Sequence, residues 1–522
     1  MTIVTPPPAL ASAFVVLFGS HGDVTKHAQQ RGVCRQTLYR DTDAVLDALQ
    51  GDKQRQELQR CQERVQTLQA RCDDLTAGLD QAVVIDADKH AEFATTAQAV
   101  GVSLPVARRL LKVFLGADTP SVAKLGRYTH QAAERASALL KVLDAASQPL
   151  VHQLATDELF VGRKPILMSV EPDSLCWMSG QLAEHRDGET WAAEYAKFPN
   201  LEQVLRDAGT GMAKGLDLVN AQRQKEQQAP IADQADHFHV LQEGQRALRK
   251  MQGHASRALQ RAEKKQKEMD RRRRHGKSVV GIATAAAQAW RRAEQVMDRW
   301  SAAEKALGEL RETLALFTRE GRLRTRAEAE AAVQALLPDF SGREWSKLRR
   351  QLARPELFTF LDRAEAQLAA LPLPAEVRAA AVRVEGLRRQ PEAVQGDKPR
   401  AAALRGVLLA AGLVLSLSGD AGTKALELVR GVLAHVWRAS SVVEGVNSVL
   451  RMQQARHRRL TPGLLDLKRL YWNCNAFRTG RRKKQTPYAL LGLKLPALSW
   501  WELLKMTPEQ LRRELSELKM AA

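Results

Sequence analysis

The chain of 522 residues is longer than a single hydrophobic core usually organises, so several domains are expected. Its 44% hydrophobic and 26% charged residues are typical of a soluble globular protein rather than an integral membrane protein. The 79 Lys and Arg residues exceed the 59 Asp and Glu residues and give a net charge of +20. Such an excess favours an anionic partner such as nucleic acid, although the Arg- and Ala-rich usage of a GC-rich genome would also produce it.

Cysteine usage and hydropathy predict a cytoplasmic protein. The five cysteines form no CxxC pair, which favours a reducing compartment and gives no sign of a zinc site. The apolar run over residues 407–417 is shorter than the roughly 20 residues that a bilayer-spanning helix needs. The N-terminus has no basic segment before its apolar stretch, so no signal peptide is predicted. We therefore expect no membrane partner.

Residues 1–50 predict a helix-turn-helix that binds DNA. A first helix over 24–31 is followed by Gly32 as the turn, and a second helix opens at Arg35. The polar, basic face at the start of the second helix is the expected contact with DNA, and it comprises Arg35, Gln36, Thr37, Tyr39 and Arg40. Because any small helical hairpin has a similar pattern, this motif is weak when taken alone.

Two further helical segments precede the first strands. Residues 51–82 have apolar side chains at alternating spacings of three and four, the a/d pattern of a coiled coil. The members of this seam are Leu58, Cys61, Val65, Leu68, Cys72, Leu75 and Leu79. A dimeric coiled coil and an intramolecular hairpin both fit it, and we favour the dimer because DNA-processing proteins often bind paired sites. Residues 83–149 predict a second helix-turn-helix-like pair with Ser103 as an N-cap, or a plain helical linker.

Residues 150–245 contain the first β-type runs and predict a mixed α/β sheet. The expected elements are strands at 159–161, 166–170 and 175–178, a helix at 190–198, a strand at 204–205 and a helix after Gly209. Three regions follow, namely a helical region at 246–435, a helix with a basic region at 436–495 and a C-terminal helix at 496–522. The basic runs at 271–274 and 481–484 are expected to bind phosphate backbones in a salt-dependent manner.

Three acidic segments lie on apolar elements of this basic chain. They contain Asp157 in an apolar run, Asp207 after another, and Glu444 on a late helix. A buried carboxylate is costly unless it is paired, hydrogen-bonded or bound to a metal. If the three acids converge, they form an oxygen-ligand site for Mg²⁺ or Mn²⁺. The simpler alternatives are a solvated Asp157 with Glu158 facing inwards, an Asp207 that only caps the next helix, and a Glu444 on an open helix surface.

Two short sequence patterns contain further polar residues that could lie beside these acids. Asp236 and His239 stand three residues apart at the end of an expected fifth strand. Glu444, Asn447 and Arg451, at spacings of three and four, share one face of a helix. A carboxylate, an amide and a guanidinium on one face can bind a metal, orient water and hold a phosphate.

In their order along the chain, these residues resemble a DDE transposase of a bacterial insertion sequence. That family has its first Asp on the first strand, its second Asp after the fourth strand and its Glu on a later helix, often beyond a helical insertion. Asp157, Asp207 and Glu444 follow this order with gaps of 50 and 237 residues. The resemblance implies an α/β plus all-α fold, in which an RNase H-like mixed sheet core is interrupted by a large helical insertion and preceded by a helix-turn-helix and a short coiled coil.

Two further segments strengthen the resemblance, which covers roughly 150–245 and 430–495. The Asp-x-x-His element at 236–239 is similar to a signature of Mutator-like transposases, although Asp replaces the commoner Cys. The segment 471–493 is similar to the usual close of transposase domains. Asp236 competes with Asp207 as the second metal-binding carboxylate, and we favour Asp207.

The resemblance also implies roles for individual residues. Asp157, Asp207 and Glu444 would be the catalytic residues and the ligands of Mg²⁺ or Mn²⁺. The supporting residues around the metal site would be Asp236, His239, Asn447 and Arg451. Besides the N-terminal face, the residues expected to contact DNA are Arg438, Arg481 and Arg482.

The partner implied by the resemblance is double-stranded DNA, both as transposon ends and as target. A homodimer or a higher oligomer is expected on that DNA. Two alternatives stay open at this point, an RNase H-like nuclease without strand transfer and a non-enzymatic helix-turn-helix regulator.

Overall fold

The computed structural model describes residues 7–81, 85–393, 397–454 and 460–520. It divides into two compact units, Met1–Asp86 and Ala87–Ala522. The described residues are mostly helical and contain a small mixed sheet of five strands, so the predicted combination of α/β and all-α regions is confirmed. No helix in these ranges is both long enough and apolar enough to cross a membrane.

The helices of the first unit are α1 (Pro8–Phe18), α2 (Asp23–Arg31) and α3 (Arg35–Gln81). Gly32 ends α2 with a φ of 66°, a left-handed conformation that favours glycine, and α3 begins three residues later. An ion pair of 2.6 Å between Arg31 and Asp41 holds α2 against α3. The two helices and the glycine turn lie where the sequence predicts them.

The longest helix of this unit, α3, continues for 47 residues through the predicted domain boundary at residue 50. The two patterns that meet there are both helical, and a single Gly51 costs only about 1 kcal/mol in a helix interior. The described leucine and valine side chains of the heptad seam, which are Leu58, Val65, Leu68 and Leu75, are each more than half exposed. Among the described residues no helix covers this seam, so they show no intramolecular hairpin there and the dimer stays a prediction. The side chain of Leu79 lies outside the described residues.

Before the sheet, the second unit has the helices α4 (Ala87–Ala99), α5 (Leu104–Leu115) and α6 (Val122–Ser147). Ser103 occupies the N-cap position of α5 as predicted, but its side chain makes no capping hydrogen bond. Pro105 in the first turn favours the helical start at this point. Leu139 and Leu143 of α6 belong to the same hydrophobic core as the sheet, so this segment packs onto the core.

One sheet with the order β3-β2-β1-β4-β5 organises the second unit. Its strands are β1 (Gln153–Val161), β2 (Lys164–Val170), β3 (Trp177–Leu182), β4 (Gln203–Arg206) and β5 (Ala232–Ala235). The first three strands are antiparallel neighbours, whereas β4 and β5 run parallel to β1. The connections to the parallel strands contain α7 (Gly188–Tyr195) and α8 (Thr210–Lys225).

The strands lie close to their predicted positions, with two corrections. β1 begins at Gln153 rather than at 159, because its first residues pair with β4, which is distant in sequence, and Asp157 is therefore in mid-strand. β3 begins at Trp177 rather than at 175, because Leu175 lies in the preceding turn with a φ of 59°.

A helical region follows β5. α9 (His237–Arg274) starts directly after the strand, so the predicted boundary at 245 falls inside a helix, and α10 (Val280–Thr313) packs along it. The other helices of the region are α11 (Arg326–Leu336), α12 (Ser346–Leu352), α13 (Thr359–Ala369), α14 (Ala375–Ala393), α15 (Asp397–Ser418) and α16 (Ala421–Ala434). A hydrophobic core that includes Phe340, Trp345 and Phe360 is distinct from the core of the sheet.

The last five helices are α17 (Ser441–Gln454), α18 (Pro462–Cys474), α19 (Pro487–Leu491), α20 (Trp500–Lys505) and α21 (Pro508–Met520). α17 packs on β1, and α18 packs on β3 and α6, so the chain returns to the sheet after the helical region. The single C-terminal helix predicted at 496–522 is wrong, because Pro508 begins a second helix after α20.

Candidate active site

A cleft of about 980 Å³ opens beside β1 and β4. Its lining includes the three predicted acids and two of their expected neighbours, namely Asp157, Asp207, Glu444, His239 and Arg451. In the parallel pairing, Ala155 of β1 is opposite Leu205 of β4. The side chains two residues further on lie on the same face of their strands, which brings Asp157 and Asp207 to the same level of the sheet. Residues from distant parts of the chain therefore meet in one cleft.

Asp157 is almost fully buried, with 5% of its surface exposed. The side-chain amide of Asn447 donates to its Oδ2 at 2.6 Å, and the backbone N–H of Glu158 donates to its Oδ1 at 2.8 Å. Burial raises the pKa of Asp157 to about 6, and the charges of Glu444 and Asp207 act in the same direction. The Glu158 side chain is held by Arg186 at 2.7 Å, so Asp157, not Glu158, is the acid beside Asn447.

Asp207 follows β4 and lies at the rim of the cleft. Its Oδ1 accepts the backbone N–H of Gly209 at 2.7 Å, while Gly209 itself is the N-cap of α8. Asp207 is therefore not the capping residue of that helix. A Cβ on Gly211 would lie 1.9 Å from the carbonyl oxygen of Arg186, so only glycine allows α8 to begin this close to the loop before α7.

Asp236 differs from Asp207 although both follow a parallel strand. It is 1% exposed, caps α9 by accepting the N–H of Phe238 at 2.7 Å, and does not line the cleft. His239 Nδ1 lies 2.6 Å from its Oδ2, which also accepts the hydroxyl of Ser440. Burial opposes ionisation of Asp236, but these hydrogen bonds outweigh it and lower its pKa below the ordinary value.

His239 projects from the first turn of α9 between two acids. Burial alone would lower its pKa, but the hydrogen bond and charge of Asp236, with the charges of Asp157 and Asp207, raise the pKa of His239 to about 9. Its Nε2 lies 3.9 Å from Glu444 Oε1. Since Asp236 holds one ring nitrogen, the other is directed towards the cleft.

One face of α17 completes the site. Glu444, Asn447 and Arg451 occupy this face, as their spacing predicts. Arg451 donates to Glu444 Oε2 at 3.0 Å, which positions the carboxylate and balances part of its charge. Asn447 is fully buried, and its Oδ1 has no hydrogen-bond partner among the described residues.

The tightest group of potential metal ligands is Asp157, His239 and Glu444. One ligand atom from each lies within 4.8 Å of the others. Asp207 lines the same cleft but is outside this group, whereas the sequence favoured it as a ligand and assigned His239 a supporting role. The three-residue spacing of Asp236 and His239 on a helix is the sequence signal for a histidine held by a carboxylate.

The donor set fits a divalent cation. Carboxylate oxygens from Asp157, Asp207 and Glu444 are suited to Mg²⁺ and Mn²⁺. The unpartnered Oδ1 of Asn447 gives one further buried oxygen beside Asp157. His239 could add a nitrogen only after losing its proton, which its raised pKa opposes, and these two hard ions accept nitrogen less readily than oxygen.

Several basic residues of the cleft lining come from the helical region. Lys347 and Arg350 of α12, Arg354 just after it and Arg246 of α9 all line the cleft. Leu348 of α12 is buried in the helical core, which leaves Lys347 and Arg350 exposed beside it. Sequence reasoning missed these residues. Their only local signal is basic side chains at i, i+3 and i+7, which is common on solvated helices.

Some of the residues predicted to contact DNA are held by the protein, whereas others are exposed to solvent. Arg438 donates to the carbonyl of Leu314, and Arg482 donates to the carbonyl of Asp173 at 2.9 Å, so both guanidinium groups are held by the protein. Arg481 is exposed. In the first unit, Arg35, Gln36, Tyr39 and Arg40 are exposed at the start of α3, and Thr37 is half-buried.

A scan against protein-family models finds no match, and a search of curated proteins finds none either.

Proposed function

We propose that this chain is a transposase that binds the ends of a mobile DNA element and cleaves and joins DNA strands with Mg²⁺ or Mn²⁺. The observation that carries the proposal is that Asp157, Asp207 and Glu444 line one cleft although 50 and 237 residues separate them. The DDE transposases that the sequence resembles have their acids on the first strand, after the fourth strand and on a helix beyond an insertion. Here the acids lie on β1, after β4 and on α17.

An RNase H-like core is part of this proposal. Its support is the mixed sheet, in which three antiparallel strands are followed by two parallel strands connected through helices. The helices from α9 to α16 separate the second acid from the third, as a helical insertion would. α17 then packs on β1, which returns Glu444 to the sheet.

The residues of the cleft fit phosphodiester chemistry. A divalent cation held by the three acids would activate the attacking oxygen and stabilise the leaving 3′ oxygen. Asn447 fixes the orientation of Asp157, and Arg451 fixes that of Glu444. Lys347 and Arg350, which line the same cleft, would hold the negatively charged DNA backbone. Water would serve as the nucleophile in cleavage, and the freed 3′-OH would serve in strand transfer.

The first unit would recognise the element ends. The proposed helix-turn-helix consists of α2, the turn at Gly32 and the start of α3, which exposes Arg35, Gln36, Tyr39 and Arg40. The exposed heptad seam of α3 would join two copies into a dimer on paired ends.

The test is DNA cleavage and joining by the full chain. The substrate is the DNA that flanks its gene on both sides, supplied with Mg²⁺, with Mn²⁺ or with EDTA. We expect metal-dependent strand cleavage at defined ends, followed by joining of the cleaved 3′ ends to a target plasmid. Glu444→Gln should abolish both reactions, because an amide cannot replace a metal-binding carboxylate.

The control is Glu427→Gln, which removes an exposed carboxylate of α16 outside the cleft and should leave both reactions unchanged. Cleavage that never leads to joined products would favour the nuclease alternative. Sequence-specific binding without cleavage under either metal would favour a regulator and overturn the proposal.

A further inference from the structure

A long helical hairpin leads away from the candidate active site. α9 has 38 residues and begins at His237, so His239 in its first turn lies in the cleft. α10 has 34 residues and packs along α9 after a short connection. At 1.5 Å per residue, α9 is about 57 Å long. One rigid element therefore connects the cleft with a distant part of the surface.

The charge of this hairpin is concentrated in its outer part. Residues 257–292 contain twelve Lys and Arg residues and three Asp and Glu residues. Nearly half of the net charge of +20 on the whole chain therefore comes from these 36 residues. The chemistry proposed for the cleft uses none of them.

Five basic side chains form a continuous surface on both helices, which we call the basic track. They line a depression of about 360 Å³ and are His254, Arg257 and Arg261 of α9 with Arg292 and Arg299 of α10. Spacings of three and four on α9 and of seven on α10 align them along one side of the hairpin. Glu243 and Arg246 of α9 line the active-site cleft and lie eleven residues, or about three helical turns, before His254 and Arg257. The cleft and the track thus lie along one face of α9.

The cations of the track are available to an external anion. Arg257, Arg261 and Arg292 are exposed, and within the described residues none of them forms an ion pair with an acidic side chain. Glu344 is the one acid that lines the depression. Three neighbouring guanidinium groups repel one another, and a bound polyanion would remove that cost.

We propose that the basic track binds the phosphate backbone of the duplex DNA that adjoins the cleaved phosphodiester. This inference rests on the proposed function, because the cleft defines which phosphodiester is cleaved. A straight surface of guanidinium groups suits the regular phosphates of a duplex. Single-stranded nucleic acid is usually bound on large aromatic side chains, and no Phe, Tyr or Trp is among the described residues that line the depression.

The geometry predicts how far from the cleavage site the contact lies. Arg257 is 18 residues beyond His239, or about 27 Å along α9, and Arg271 is about 48 Å beyond it. At 3.4 Å per base pair, these distances correspond to about 8 and about 14 base pairs of duplex. DNA that extends less than about 8 base pairs from the cleavage site would not reach Arg257.

The first experiment measures DNA affinity against salt concentration for the full chain. The probe is a 40-bp duplex, and the variant carries Arg257→Gln, Arg261→Gln and Arg292→Gln. We expect affinity at 0.1 M salt to fall by about 10- to 100-fold and the salt slope to fall by about three, since each lost phosphate contact lowers it by about one. The control carries Arg512→Gln, Arg513→Gln and Lys519→Gln on exposed α21 and should keep the wild-type slope.

The second experiment varies the length of DNA beside the cleavage site between 4 and 20 base pairs. Wild-type affinity should rise once this flank exceeds about 8 base pairs and level off beyond about 14, and the triple variant should lack the rise near 8 base pairs. Both proteins should cleave the substrate with the 4-bp flank at the same rate, which also shows that the variant is folded.

The outcomes separate this inference from the proposed function. If the wild type cleaves DNA but the triple variant keeps its affinity, salt slope and length dependence, the track is not a DNA-binding surface. Tighter binding of the track to single strands than to duplex would also overturn the inference. If no protein cleaves DNA under any condition, the proposed function fails, and the salt slope still tests the track.

Discussion

The active-site cleft and the basic track lie on the same helix but differ in how their charges are held. In the cleft, Asn447 holds the buried Asp157, Asp236 holds His239 from just outside, and Arg451 holds Glu444, so the groups of the metal site have fixed partners. In the track, Arg257 and Arg261 are exposed and have no acidic partner among the described residues. Chemistry requires groups in fixed positions, whereas backbone binding requires charges that can adapt to phosphates. The contrast predicts that variants will separate catalysis from binding.

The largest expected effect is the loss of catalysis in Asp157→Asn. DNA cleavage should fall by about 100- to 1,000-fold, because a preorganised charge at the reacting centre is removed. DNA affinity should stay within about twofold of the wild type, since Asp157 is a buried acid and not one of the basic groups proposed to hold the backbone. Parallel cleavage and binding titrations measure the two effects, with exposed Asp217→Asn as the control. Equal losses of cleavage and affinity would show that the two regions cannot be separated.

The next largest effect is a difference in the free energy of unfolding between variants of Asp236 and Asp207. Asp236→Ala should lower the free energy of unfolding by about 2–4 kcal/mol, because it removes the buried acceptor of His239 and Ser440. Asp207→Ala should cost about 1 kcal/mol, since it loses one hydrogen bond at the cleft rim, yet it should impair cleavage. Urea unfolding monitored by circular dichroism measures the difference. Similar free energies of unfolding for both variants would contradict the view that Asp236 mainly stabilises the fold whereas Asp207 mainly serves cleavage.

A smaller effect on catalysis is expected for Asn447→Leu. Leucine has the same branching at Cγ but is larger and cannot donate to Asp157, so Asp157 loses the hydrogen bond that orients it. Cleavage should slow by about 10- to 100-fold, the range measured for residues that position metal ligands. Steady-state kinetics should place the loss in kcat and leave KM unchanged. A rise in KM at constant kcat would instead indicate a DNA contact for Asn447.

The smallest effect is expected at the basic residues of the cleft lining. Lys347→Gln and Arg350→Gln should each weaken DNA binding by several-fold and lower the salt slope by about one. Unlike the track variants, they should act on short and long duplexes alike, because both residues line the same cleft as the acids. Titrations with flanks of 4 and 20 base pairs measure this. A loss limited to the longer duplex would place these side chains outside the path of the cleaved strand.

The sequence predicts the framework of the sheet region well, because its signals there are local. Apolar and β-branched runs predict β1, β2 and β4, and the spacing of Glu444, Asn447 and Arg451 predicts their common face on α17. The sequence does not predict that α3 is one continuous helix, because a helix-turn-helix and a heptad seam are separate patterns with no local signal that joins them.

The parts that the sequence does not predict depend on contacts between distant segments. Asp207 and Asp236 each follow a short parallel strand and precede a helix. The local pattern therefore cannot decide which of them is the second metal-binding carboxylate. Their environments differ because Ser440, 204 residues further on, donates to Asp236. Likewise, Lys347 and Arg350 face the cleft only because α12 packs on α9. Such long-range packing has no periodic signal in the sequence.

The continuity of α9 restricts how this protein can vary in length. One residue inserted between His239 and Arg257 would turn the track about 100° around the helix axis and move it only about 1.5 Å along the axis. A short insertion would therefore turn the track away from the face of the cleft while hardly changing its distance from the cleft. Seven inserted residues make nearly two full turns and would restore the alignment, about 10 Å further from the cleft. Viable length changes in this helix should accordingly come in steps of about seven residues, each shifting the contact by about three base pairs.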